Sequence, residues 1–286
     1  MVATHNCLAS LVSITQRVRW WLVSDPLVVA GIAAALLIST YALAGMSVSW
    51  PVVLGVSAGS ALVYRWDRTP GTAEEDAYHR PARRAWMRRH RFYLNVCTVG
   101  YVLVAGWAFL QLEAVVQGVA VGLAAISAAY VWPSWRLKRI GVLKTPLVAG
   151  AWALGVTLVP LLQGGASALV IGGFVAYRFL WLVPNILCSD WADRSADAKA
   201  GLTTWAHRLG HTGVRWVAAG CAAWATAGAL AMAWSTGNSL WLGEAVGAAL
   251  LAYGTAHCPA QPDERYRVAL DLWMAFPGVL VLVMWG

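Results

Sequence analysis

Along its whole length the chain alternates long apolar runs with short polar breaks. The runs fall near 26–45, 49–66, 92–112, 114–132, 145–163, 167–188, 213–235, 239–257 and 267–285. Each is close to the ~20 residues a helix needs to cross the hydrocarbon core. They are continuous rather than alternating and rich in Ala, Leu and Gly, which argues against membrane-spanning strands. The pattern predicts an all-α polytopic membrane protein with nine transmembrane helices in one bundle. No shift in composition marks a boundary, so residues 1–286 read as a single domain, with 1–24 a partly amphipathic cytoplasmic segment.

Composition agrees with the pattern. Of 286 residues, 59% are hydrophobic and only 12% charged, against about a quarter charged in soluble domains. A net charge of +8 would suggest nucleic acid in a soluble protein; in a membrane protein basic residues first report orientation, and no nucleic-acid partner is expected. All but one of the 21 Lys and Arg fall in the N-terminal segment, the even-numbered loops or the adjoining ends of the runs, on one side of a nine-span topology. Eight lie in the second loop alone, and the opposite loops contribute only Glu113 and Glu244. The positive-inside rule then puts the N-terminus in the cytoplasm and the C-terminus outside, with a bacterial inner membrane the expected location. Cys7, Cys97, Cys188, Cys221 and Cys258 form no CxxC pair and no metal-ligand spacing, so they read as reduced thiols. The N-terminus lacks the pattern of a cleaved signal peptide.

The remaining basic residue, Arg178, lies inside the sixth run. A charge there needs a partner or a polar cavity. Two readings stand: an ion pair with Asp271, or a group lining a substrate cavity. Asn185 is seven positions further on, on the same helical face, and would either position substrate or join two helices by a hydrogen bond.

The two longest cytoplasmic loops, roughly 67–91 and 189–212, each open where a run ends, and each carries acids. The first holds Asp67-Arg68, then Glu74, Glu75 and Asp76; the second holds Asp190, Asp193-Arg194 and Asp197. The trio is spaced i, i+3, i+7. If the helix continues past the membrane, all three carboxylates project from one face and repel one another. Either neighbouring Arg194 and Lys199 neutralise a solvated acidic face, or a hard cation sits there; Mg²⁺ takes oxygen ligands and usually bridges carboxylate to phosphate. The arginines of the first loop favour the second reading, since guanidinium groups bind phosphate oxygens in bidentate fashion. Some of them also suit anionic membrane lipid.

The second loop reads Asp190, Asp193, Asp197, then "AKAGLTTWAHRLG". It resembles the second aspartate motif of the UbiA superfamily of intramembrane prenyltransferases, D-x-x-D-x-x-x-D, with the G-x-x-T and R-L-G tail that follows it. The fourth loop is similar to that family as well, through Tyr130, Pro133, Lys138, Arg139 and Lys144. The first motif departs from the family's N-D-x-x-D-x-x-x-D: Trp66 replaces the Asn, Pro70 replaces the middle acid, and the third acid falls near Glu74 or Glu75.

The resemblance implies a central cavity open to the cytoplasmic side and Mg²⁺-dependent transfer of an isoprenyl group from an isoprenyl diphosphate to a lipophilic, aromatic acceptor. It implies metal-binding carboxylates at Asp67, Glu75, Asp76, Asp190, Asp193 and Asp197, with Asp67 and the trio catalytic. It implies diphosphate-binding cations at Arg68, Lys138, Arg139, Lys144, Arg194 and Lys199. Tyr64, Tyr130, Arg178 and Asn185 are the expected cavity residues, and Trp66 and Trp181 are candidates to shield an allylic cation. His79, His90, His207 and His211 are expected in hydrogen-bonding or surface roles. The altered first motif keeps two other readings in play: a terpene cyclase on the same scaffold, acting without an acceptor, and a non-catalytic lipid-binding membrane protein.

Overall fold

A computed structural model describes residues 26–68, 81–132 and 140–285. All the regular structure among them is helical. In chain order the helices are α1 (Pro26–Leu43), α2 (Trp50–Asp67), α3 (Pro81–Arg89), α4 (Arg91–Leu110), α5 (Ala114–Val131), α6 (Gly141–Gln163), α7 (Ala168–Lys199), α8 (Trp205–Thr236), α9 (Leu240–Ala256) and α10 (Glu264–Trp285). Helix is the form these apolar runs must take, because it satisfies every backbone N–H and C=O within the segment. α6 widens into a π-helical turn at Leu154–Leu158. α8 bends at Gly210, whose φ of 64° lies in the left-handed region open to glycine.

Seven of the described helices are long and apolar enough to cross a membrane: α1, α4, α5, α6, α7, α8 and α10. The expected second and eighth spans exist as helices but fall short of that measure. α2 carries Ser57, Ser60, Arg65 and Asp67 among its apolar residues, and α9 has 17 residues, Glu244 among them. The largest departure from the sequence reading concerns the loop expected at 189–212. α7 runs on to Lys199, so all three aspartates of the trio are helical.

The helices close a ring. α1 packs on α2, α2 on α4 and α5, α6 on α7, α7 on α8, α8 on α9, α9 on α10, and α10 returns to α1. α1 is the most enclosed, with Leu36 and Leu37 fully buried, whereas α4 and α5 leave most of their apolar surface outward, as a lipid-facing wall does. Two glycines permit close backbone approach. A Cβ on Gly278 of α10 would overlap the Ala35 backbone of α1, and one on Gly141 would overlap the Thr203 backbone in the α7–α8 link. The second contact anchors the start of α6, and with it Lys144, beside the end of α7.

Candidate active site

Inside the ring lies a cavity of about 640 Å³, lined by α1, α2, α4, α5, α6, α7 and α10. One end carries charge. Asp67 closes α2, Asp190, Asp193 and Asp197 occupy the last turns of α7, and Lys144 stands near the start of α6; all five line the cavity. The i, i+3, i+7 spacing of the trio becomes a common inward face because the helix continues past Asp197. Arg68, Tyr64, Tyr130 and Asn185 line the same space, as the sequence leads one to expect.

Two cations hold the trio. Lys144 Nζ lies 3.0 Å from Asp190 Oδ1 and 3.0 Å from Asp197 Oδ2, joining carboxylates two turns apart. Asp190 also accepts from Thr145 Oγ1 at 2.6 Å. Arg267 Nη2 of α10 donates to Asp193 Oδ1 at 2.8 Å. Asp190 and Asp197 are buried, while the Asp193 side chain stays about a third exposed (32%). A rung deeper in the cavity, Asn185 Nδ2 donates to Asp271 Oδ1 at 2.7 Å, tying α7 to α10. Asn185 thus both faces the cavity and joins two helices.

Among the described residues, six carboxylates line the cavity (the four aspartates above, Glu264 and Asp271) against three cations, Arg68, Lys144 and Arg267. Such an excess attracts cations and resists a bare anion. Aromatic groups stand close below the charges: the Arg68 guanidinium lies 5.0 Å from the centre of the Tyr64 ring, and Tyr64 meets Trp152 edge to face at 6.2 Å.

Other expected site residues lie elsewhere. Arg178 is not among the cavity-lining residues. It is fully buried between α7, α9 and α1, bonded to both carboxylate oxygens of Glu244 at 2.8 and 2.7 Å and to Ser39 Oγ at 2.8 Å. Its ion partner is therefore Glu244, not Asp271. Glu244 itself, expected in an outer loop, sits fully buried within α9. Arg194 also stands apart from the cavity, because its guanidinium stacks 3.9 Å from the Trp191 ring centre and donates to Trp191 O. Lys199 is exposed at the end of α7. Trp66 lies edge-on to Trp132 on the outside, and Trp181 is buried with its N–H on Met274 O; Trp152 lines the cavity and they do not. His207 caps α8 through Thr204, and His211 donates to Cys258 O. Glu75, Asp76, Lys138 and Arg139 fall outside the described residues.

The sequence reading missed the contribution of α10. Glu264, Arg267 and Asp271 repeat the i, i+3, i+7 spacing of the trio, and that repetition was the available signal. Thr145 and Ser189 also went unnoticed; lone hydroxyls carry no pattern.

Long apolar helices closed around a cavity with a charged mouth define an integral membrane protein. More narrowly, the chain belongs to the UbiA prenyltransferase family, whose sequence profile matches residues 73–276. That makes it, in general terms, an intramembrane prenyltransferase. A solved structure from a study of digeranylgeranylglyceryl phosphate synthase in membranes superposes with a TM-score of 0.56 at 13% identity, over 94% of this chain and 96% of that one. At that identity the likeness is one of fold. No curated protein matches the chain.

Proposed function

We propose that the protein transfers an isoprenyl group from an isoprenyl diphosphate to a lipophilic, aromatic acceptor, with Mg²⁺ as the ion that seats the diphosphate. The observation that carries this reading is the single cavity that joins Asp67 and the Asp190–Asp193–Asp197 face to an apolar chamber. In the membrane we take the nine apolar helices, α2 and α9 included, as spans, with the charged mouth toward the cytoplasm.

Among the described residues no three His, Cys, Asp or Glu side chains already converge on a metal-sized point; Lys144 stands between two of the carboxylates instead. The donors are nonetheless hard oxygens in excess over the local cations, which is the chemistry Mg²⁺ requires. Asp67, Asp193 and, with Lys144 drawn onto the diphosphate, Asp190 and Asp197 would hold it. When bound it would neutralise charge on the departing diphosphate.

The chain's own groups do the rest. Lys144 and Arg267 bind phosphate oxygens, and Arg68 reaches the same mouth from α2. The apolar walls keep water from the allylic carbon, and Tyr64, Tyr130 and Trp152 present ring faces to the positive charge that develops there. The C–O bond breaks with its electron pair on the diphosphate, and the acceptor carbon bonds to the allylic carbon and then loses its proton.

The test is turnover of purified protein with prenyl diphosphates and aromatic acceptors, read as released diphosphate and alkylated product. Product that requires both Mg²⁺ and acceptor is expected. A hydrocarbon formed without acceptor would assign the cyclase reaction instead, and binding without bond cleavage would make the protein a carrier.

A further inference from the structure

The cavity has a depth that can be measured twice. On α2 its lining runs from Asp67 to Pro51, 16 residues, or about 24 Å at the helical rise. On α6 it runs from Lys144 to Val159, 15 residues, or at most about 22 Å, since the π-helical turn rises less per residue. The two helices start from opposite ends, so the measures are independent and they agree. Only apolar residues line the far end, among them Val52, Phe109, Leu112 and Val159.

Carbon–carbon bonds of about 1.5 Å in a staggered chain advance about 1.25 Å each, so an extended isoprene unit of four chain bonds spans about 5 Å. Four units take about 20 Å and, with the C–O bond at the carboxylate level, reach the far end of the lining. Three stop short of it, and five run past it.

Gly59 stands midway, eight residues or about 12 Å below Asp67. A Cβ added there meets nothing within 4 Å, although the position lines the cavity. Ala151 lines the cavity from α6, seven residues, about 10 Å, from Lys144. Room beside Gly59 at this depth is what a tail longer than two units needs.

We infer that the cavity is a ruler for a donor of four isoprene units, and that the absence of a side chain at Gly59 determines this length by leaving the lower half open. This rests on the reading of the site as a prenyl diphosphate site. The protein in lipid nanodiscs, with Mg²⁺, is titrated with geranyl, farnesyl, geranylgeranyl and geranylfarnesyl diphosphates, and affinity is read by competition and by thermal shift. With each donor's concentration expressed per lipid, so that partition cancels, affinity should rise by at least about tenfold from two units to four as the walls pack on the tail, and should gain nothing from a fifth. Gly59→Phe should weaken the four-unit donor at least about tenfold while leaving the two-unit donor within about threefold. Ala151→Phe should do the same from α6, and decides the matter if the first variant does not fold. Affinity that climbs again with a fifth unit, or plugs that affect all donors alike, would overturn the ruler but not the function. If no prenyl diphosphate binds the folded protein, the functional reading itself falls.

Discussion

α7 carries two ionic clusters twelve residues apart, and they are built to opposite ends. At Arg178 the charge is closed off. Glu244 receives two guanidinium bonds together with the hydroxyls of Tyr177 and Ser39, and neither charged side chain meets solvent. At Asp190 and Asp197 the bridging Lys144 side chain keeps 18% exposure, and the cluster lines a cavity in which carboxylates outnumber cations. Both use the same chemistry. What separates them is whether their charges balance within the cluster or leave an excess facing an open space. A balanced, sealed pair in a membrane bundle fixes three helices against one another, whereas an unbalanced cluster at a mouth invites a ligand. An intramembrane charge is by default a functional candidate, and here the fully buried arginine takes the other of its two readings, an ion pair, with Glu244 as the partner.

The contrast can be broken first at the sealed pair. Glu244→Ala leaves Arg178 buried and uncompensated, a loss expected at about 3–5 kcal/mol. Thermal unfolding in detergent should show it directly, and Arg178→Met with Glu244→Leu should recover most of it. If the single variant unfolds like the parent, the pair is not the lock described here. Next comes the open cluster. Asp193→Asn should reduce turnover by about 10²–10³-fold, the scale of losing one electrostatic contact to a reacting centre, with little change in melting temperature. A parallel loss of stability would place Asp193 with the structural pair. The smallest effect belongs to Arg194, one of the six cations that the family resemblance assigned to the diphosphate. Arg194→Ala removes a cation–π stack and a helix-surface bond, costing about 0.5–1 kcal/mol, and prenyl diphosphate affinity should not move. A clear drop in affinity would return Arg194 to the site.

These differences explain how far the sequence could be read. Helix positions were legible because apolar runs of bilayer length leave few alternatives, and eight of the nine expected runs end within about four residues of a helix end. The end of α7 was not, since charged residues after an apolar run look the same in a loop and in a helix that leaves the membrane. The trio's common face followed from spacing alone, as did the inward placement of Lys144 from its motif. Arg178 and Glu244 could not be paired, because they are 66 positions apart and a helix of 17 residues disguised the glutamate as a loop acid. Trp66 and Trp181 show the limit for aromatics: which face of a span looks inward is decided by neighbours in the ring, not by residue type.

The Lys144 bridge has one further consequence. With its ammonium lodged between Asp190 and Asp197, the protein supplies its own counter-ion, so two buried carboxylates share one positive charge brought from α6. On the proposed function, a phosphate would compete for that ammonium and a divalent ion would take over the carboxylates it vacates, so that entry of the polar head and reorganisation of the mouth would be one exchange.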